Sequence, residues 1–138
     1  MNKNTLFKQI RDSVAREPKI LAVYCFGSYS KNALGKESDF DLAFLLDKKN
    51  SLSLDQIYTL ISHIRFPKDL DISIISKSSS PLFLYEIISR GERVYAADEQ
   101  KTTLFEAHVL ANYYDTSHMR KIYSSYLENK FPQTYASK

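Results

Sequence analysis

The sequence predicts an α/β (α+β) domain, a small mixed β-sheet with helices packed mainly on one face, and three observations carry that prediction. Short apolar runs of strand length alternate with stretches of helical periodicity. The breaks between them hold caps, prolines and glycines. A chain of 138 residues with 43% hydrophobic and 25% charged side chains supports one ordinary core and leaves no space for a second. One domain over residues 1–131 is therefore expected, with a C-terminal helical segment from about 98 to 131 and a frayed tail at 132–138.

The elements follow in order. From Lys3 to Arg16, Leu6, Phe7, Ile10 and Val14 recur at helical spacing, and Pro18 closes the segment. Ile20 to Phe26 is a continuous run rich in β-formers that ends at Gly27, which predicts a buried strand. Asp39 to Leu46 reads as a second strand, with Asp39, Asp41, Ala43 and Leu45 on one face and Phe40, Leu42, Phe44 and Leu46 on the other. Ser53 caps a helix whose apolar positions are Leu54, Ile57, Tyr58, Ile61 and Ile64, ending before Pro67. Leu70 to Ile75 is the third strand. Ser80-Pro81 has the form of an N-cap followed by the first helical residue, and Gly91 stands where a left-handed C-terminal residue belongs, so a helix is expected over Pro81 to Arg90. A short strand, Arg93 to Ala96, comes next. Asp98 then caps a long helical stretch bearing Leu104, Phe105, His108 and Val109, expected to break near Asp115-Thr116-Ser117 and to resume to about Asn129.

Composition narrows the function classes. Net charge is +3, and the only basic pairs noted, Lys48-Lys49 and Arg120-Lys121, are short, so direct nucleic-acid binding is not expected. The run Ile20 to Phe26 falls far below the ~20 residues that span a bilayer. The first residues are amphipathic and unlike a secretory signal, and the single cysteine, Cys25, suits a reducing compartment, which points to the cytoplasm. Cys25 lies within an apolar run, where a thiol is packed and inert. Ten Tyr and eight Phe without a Trp leave aromatic surface for a partner as well as for the core.

The informative stretch runs from Gly27 to Leu42. A strand ending in Gly27-Ser28 and passing into a turn aims backbone N–H groups outward, and the missing side chain of Gly27 lets a phosphate approach them; the Ser28 hydroxyl adds a donor. Asp39 and Asp41, two apart on a strand, point to one face about 6 to 7 Å apart. Two such charges repel unless a cation lies between them, and Mg²⁺ takes one or two carboxylates while filling its other positions with water and phosphate oxygens. The turn between carries Ser30, Lys31 and Ser38, further candidates for holding the nucleotide. A third carboxylate comes from Asp71, where the apolar alternation of the third strand begins, with Asp69 as the alternative, expected in the loop beside Lys68.

Gly27, Ser28, ten residues, Asp39 and Asp41 resemble the signature of the minimal nucleotidyltransferases of the DNA polymerase β-like superfamily. With the Asp71 strand, the Ser80 to Gly91 helix, Arg93-Val94-Tyr95 and Tyr113-Tyr114-Asp115, most of the chain is similar to the antitoxin branch of HEPN/MNT toxin–antitoxin pairs. That resemblance implies an enzyme that transfers AMP from Mg-ATP to a tyrosine of a partner HEPN ribonuclease and silences it. Members commonly carry Arg and Gly where this chain has Lys31 and Asn32; Lys31 can neutralise triphosphate charge, though without a bidentate fork. The implied chemistry is two-metal phosphoryl transfer, with Asp39 and Asp41 holding both Mg²⁺ ions and Asp71 completing the ligand shell of the second ion.

Two alternatives stay open at this level. The chain could neutralise a toxin by contact alone, Phe105, Tyr113, Tyr114, Tyr123 and Tyr126 forming the interface. It could also act on a small molecule or RNA, although the first usually needs a further substrate domain and the second a basic track. His63, His108 and His118 lack metal-ligand spacing, and His108 fits an interior or rim position.

Overall fold

The computed structural model describes residues 2–27, 40–48, 51–67 and 69–130. β1 (Ile20–Phe26) and β2 (Phe40–Leu46) pair antiparallel, β3 (Leu70–Ile75) adds parallel to β2, and β4 (Glu92–Ala96) adds antiparallel to β1, giving a mixed sheet of order β3-β2-β1-β4. The predicted mixed α/β class is the observed one.

The helices do not gather mainly on one face; they cover both. α1 (Lys3–Val14) and α2 (Leu54–Leu60) close one side, where Leu6, Phe7, Ile10 and Val14 meet Phe40, Leu42, Phe44, Ile57 and Ile61. α3 (Pro81–Arg90) and α4 (Glu99–Lys130) close the other, where Leu84, Ile87, Phe105 and Val109 meet Ala22, Tyr24, Ala43, Leu45 and Ile75. The physical reason lies in the strands: Ala43, Leu45 and Ile75 make the second face apolar too, and a sheet apolar on both sides needs two layers. A register shift between Ile20 and Ala22 lets Ile20 serve the first core while Ala22 and Tyr24 serve the second.

Local chemistry sets the helix ends. Asn2 caps α1 by accepting from the Thr5 N–H, and the helix stops at Val14, two residues short of Arg16. Ser53 and Gln56 form a reciprocal capping box on α2. That helix ends at Leu60 rather than near Pro67, because Ile61 leaves helical geometry; Ile61 and Ile64 nonetheless remain buried in the following turn. Ser80 caps α3, which has the expected bounds.

Gly91 is not left-handed. Its backbone is extended, and glycine is needed there because a Cβ would meet the Ile87 carbonyl at 2.5 Å and the Cys25 carbonyl at 2.8 Å. α3 can therefore abut the end of β1. Asp98 caps α4 through the Lys101 N–H, and the helix then runs unbroken past Asp115. Thr116 and Ser117 turn their hydroxyls back onto the carbonyls of Asn112, Tyr113 and Tyr114, satisfying them within the helix, and Arg120 bonds both Thr116 and the Tyr113 carbonyl. No helix among the described residues is long and apolar enough to cross a membrane.

Candidate active site

Three strand ends meet at one rim of the sheet. β1 ends at Phe26 and Gly27, and β2 and β3 begin beside it. Asp41 is paired with Phe26 on one side and with Asp71 on the other, so Asp41 and Asp71 stand opposite each other on the same face of neighbouring strands, whose backbones lie ~4.8 Å apart. Asp41 is half-buried and Asp71 exposed. The Phe40 N–H donates to the Asp69 carbonyl at 2.7 Å, fixing the register in which Asp71, not Asp69, stands opposite Asp41.

Gly27 has φ of 82°, and a Cβ there would lie 2.5 Å from Asp41 Oδ2. The backbone thus passes directly against the carboxylate, at a position where any side chain is both strained and in collision. A cradle that favours glycine beside a carboxylate pair is a fit for a metal-bound phosphate. Ser28, Ser30, Lys31, Ser38 and Asp39 lie outside the described residues. Among the described residues no group of three or more His, Cys, Asp or Glu could hold a metal ion, which leaves Asp41 and Asp71 as two members of the expected set.

The wall behind the rim was not foreseen from sequence. Phe26, next to Asp41, meets Phe83 of α3 edge to face at 5.9 Å, and Gly91 brings the end of α3 against Phe26. The Ser80-Pro81 signal located α3, but nothing local indicated which strand its Phe83 would meet. A polar tie without a local sequence signal lies nearby: the Tyr24 hydroxyl donates to Glu106 at 2.8 Å, and Arg93 bonds the same carboxylate at 2.7 Å, anchoring α4 to the sheet. Burial, reinforced by Glu106, pushes the Tyr24 hydroxyl far above its ordinary value. Burial also pushes the Cys25 thiol up to about 12, with the Glu92 and Asp41 carboxylates adding and Lys3 opposing, so this cysteine is an inert core residue.

The other sequence candidates are dispersed. Phe105 is in the core, Tyr113 stacks on Tyr85 at 3.8 Å, and Tyr114, Tyr123 and Tyr126 are exposed. His63 bonds Ser13 at 3.0 Å. His108 edges a cavity of about 660 Å³ with Leu21, Leu45, Phe105 and Lys101. That cavity lies at the end of the sheet away from Asp41 and Asp71, so its size does not connect it with the carboxylates.

Residues 8–100 match the family model described as polymerase beta, nucleotidyltransferase. The chain is 27% identical over 116 residues to the protein adenylyltransferase MntA of Shewanella oneidensis, covering 82% of this chain and 78% of that one. Among solved structures it is similar to a toxin–antitoxin crystal structure with AMP-PNP, at TM-score 0.66 and 22% identity over 92% of this chain and 98% of the other. It is also similar to a chain in the complex of tri-AMPylated Shewanella oneidensis HEPN toxin with MNT antitoxin, at TM-score 0.61 and 23% identity over 90% and 93%.

Proposed function

The chain belongs to the polymerase beta nucleotidyltransferase family, and from that premise we propose that it is an antitoxin that moves AMP from Mg-ATP to a tyrosine hydroxyl of a HEPN-type toxin. The observation that carries this reading is the Gly27 backbone lying against Asp41, with Asp71 in register beside it. The MntA relative and the AMPylated toxin complex support the same transfer and the same kind of partner. We read residues 1–131 as one such domain, working in the cytoplasm.

In this reading Gly27 leaves space for the triphosphate beside the backbone, and Ser28 donates a hydrogen bond to it, with Ser30, Lys31 and Ser38 as further nucleotide-holding candidates. Asp39, Asp41 and Asp71 would hold two Mg²⁺ ions, which would supply charge neutralisation at the triphosphate and easier deprotonation of the acceptor hydroxyl. The tyrosine oxygen bonds to the α-phosphorus as the bond to the pyrophosphate oxygen breaks; pyrophosphate leaves and the tyrosine proton passes to solvent. Phe26 and Phe83 back the rim with apolar surface, which keeps water from competing with the acceptor. The test is to incubate the chain with ATP, Mg²⁺ and its HEPN partner and weigh the partner by mass spectrometry. Whole AMP units should appear with the wild-type chain and vanish with Asp39→Ala, Asp41→Ala; equal labelling by that variant would overturn the assignment.

A further inference from the structure

The geometry points to the projecting half of α4 as the seat of the acceptor protein, which it holds over the carboxylate rim. This rests on the proposed reaction having a protein acceptor.

The course of the chain gives the direction. β4 starts with Glu92 beside Cys25, near the rim, and ends with Ala96 beside Ala22, at the far end of the sheet. The Ala97 N–H donates to the Leu21 carbonyl there, and α4 begins two residues on. It then turns back over the second face, placing Phe105 and Val109 in the core and Glu106 on Tyr24 and Arg93, level with the last residues of β1. Tyr113 stacks on Tyr85 of α3. Residues 115–130 therefore continue past the rim end of the sheet for roughly 24 Å.

Beyond Tyr113 no described side chain of this helix is buried. Yet Met119, Ile122, Tyr123 and Tyr126 fall at i, i+3, i+4 and i+7, on one face, and are 65%, 50%, 64% and 55% exposed. This stripe bares on the order of 400 Å² of apolar and aromatic surface, as large as the biggest patch a monomer usually leaves uncovered. It would supply about half of the ~800 Å² that one side of a standard interface contributes, and exposed Tyr114, nearer the rim, extends it. Pairing with a second copy is the weaker explanation, because a self-standing coiled coil needs about three or more heptads and this stripe fills one. A single heptad of large anchors instead fits a groove on another protein, and the tyrosine hydroxyls suit the wet edge of such a groove. A partner seated here lies beside Asp41 and Asp71 on the same face of the sheet, where its own tyrosine can reach them.

The experiment uses the full chain with Ile122→Glu and Tyr123→Lys together, and separately with Met119→Glu, all on exposed positions and all good helix formers. Each is co-expressed with the HEPN partner, and co-purification, AMP transfer and ATP binding are measured. The double variant should lose co-purification and raise KM for the partner at least tenfold, with kcat and ATP affinity unchanged; Met119→Glu should show a smaller shift in the same direction. Retained co-purification with wild-type KM would overturn the seat, as would a stripe that only dimerises the chain, seen as a dimer converted to monomer with labelling unaffected. If the wild-type chain captures the partner through the stripe but transfers no AMP, the proposed reaction fails and the seat stands.

Discussion

The two faces of the sheet differ in where their apolar packing stops. Under α1 and α2 the strand β2 is buried from Phe40 through Phe44 to Leu46, the whole length of the element. Under α3 and α4 the same strand is apolar at Ala43 and Leu45 but carries Asp41 one pleat earlier, and β3 passes from Ile75 through Ser73 to Asp71 on the same face. The first face is closed to its end, whereas the second opens at the rim into two like charges beside a glycine. Residues that hold the fold together and residues that carry the chemistry are thus separated by one alternation of the same strand, so they should be separable by mutation.

The largest expected effect tests the open face. Asp41→Asn should lower AMP transfer about a thousandfold, ~4 kcal/mol of transition-state stabilisation, while its thermal midpoint stays close to wild type, since the amide keeps the shape of the carboxylate at a half-buried rim position. A thermal scan alongside the transfer assay checks both; a midpoint that fell with activity would mean that Asp41 is structural and that the two faces are not distinct. Next in size, Phe44→Ala on the closed face should cost about 3 to 4 kcal/mol in urea unfolding, and the molecules that remain folded should keep the wild-type kcat.

Gly27→Ala lies between the two cases. Its left-handed backbone costs an alanine ~1 to 2 kcal/mol, and the new Cβ must displace the Asp41 carboxylate, from which it would lie 2.5 Å. Stability should fall by that amount, and KM for ATP should rise about tenfold, read by steady-state kinetics at fixed partner concentration. A stability loss without any change in KM would show that the close approach serves only the turn.

Much of this was legible because it is local. Ser53, Ser80 and Asp98 cap the helices they introduce, and the spacing of Gly27 and Asp41 marked a rim that the strand register then placed beside Asp71. What was not legible depends on what packs against what. Gly91 was expected to be left-handed from its position after a helix, whereas its role is to admit the Cys25 and Ile87 carbonyls, one of them from a strand 66 positions earlier. Asp115-Thr116-Ser117 resembled a break, but hydroxyls that bond back to helix carbonyls and an arginine lying over Tyr113 at 4.0 Å keep the turn helical. The second helical layer is hard to read from sequence because Ala43 and Leu45 share their strand face with the acidic residues, so that face is half core and half site.

The smallest effect probes how far the closed face extends. Cys25 belongs to that core, one residue from Phe26 and two from Gly27. Burial raises its thiol to about 12 in the folded chain, while in the unfolded chain it titrates near ~8.5. Below ~8.5 the thiol is protonated in both states and contributes nothing to the pH dependence. Above it the unfolded chain releases a proton that the folded chain keeps, so stability falls as pH rises, up to the folded value. The loss should reach about 1.4 kcal/mol by pH ~9.5. Tyr24 is raised as well, but from an ordinary value near ~10, so its contribution begins above this window. Urea unfolding of wild type and Cys25→Ala at neutral pH and at pH ~9.5 isolates the term, because the packing cost of the substitution is common to both conditions. If the two chains lose stability equally, the thiol ionises as freely when folded as when unfolded. The closed face would then stop short of β1's end, and the contrast between the faces would be one of degree.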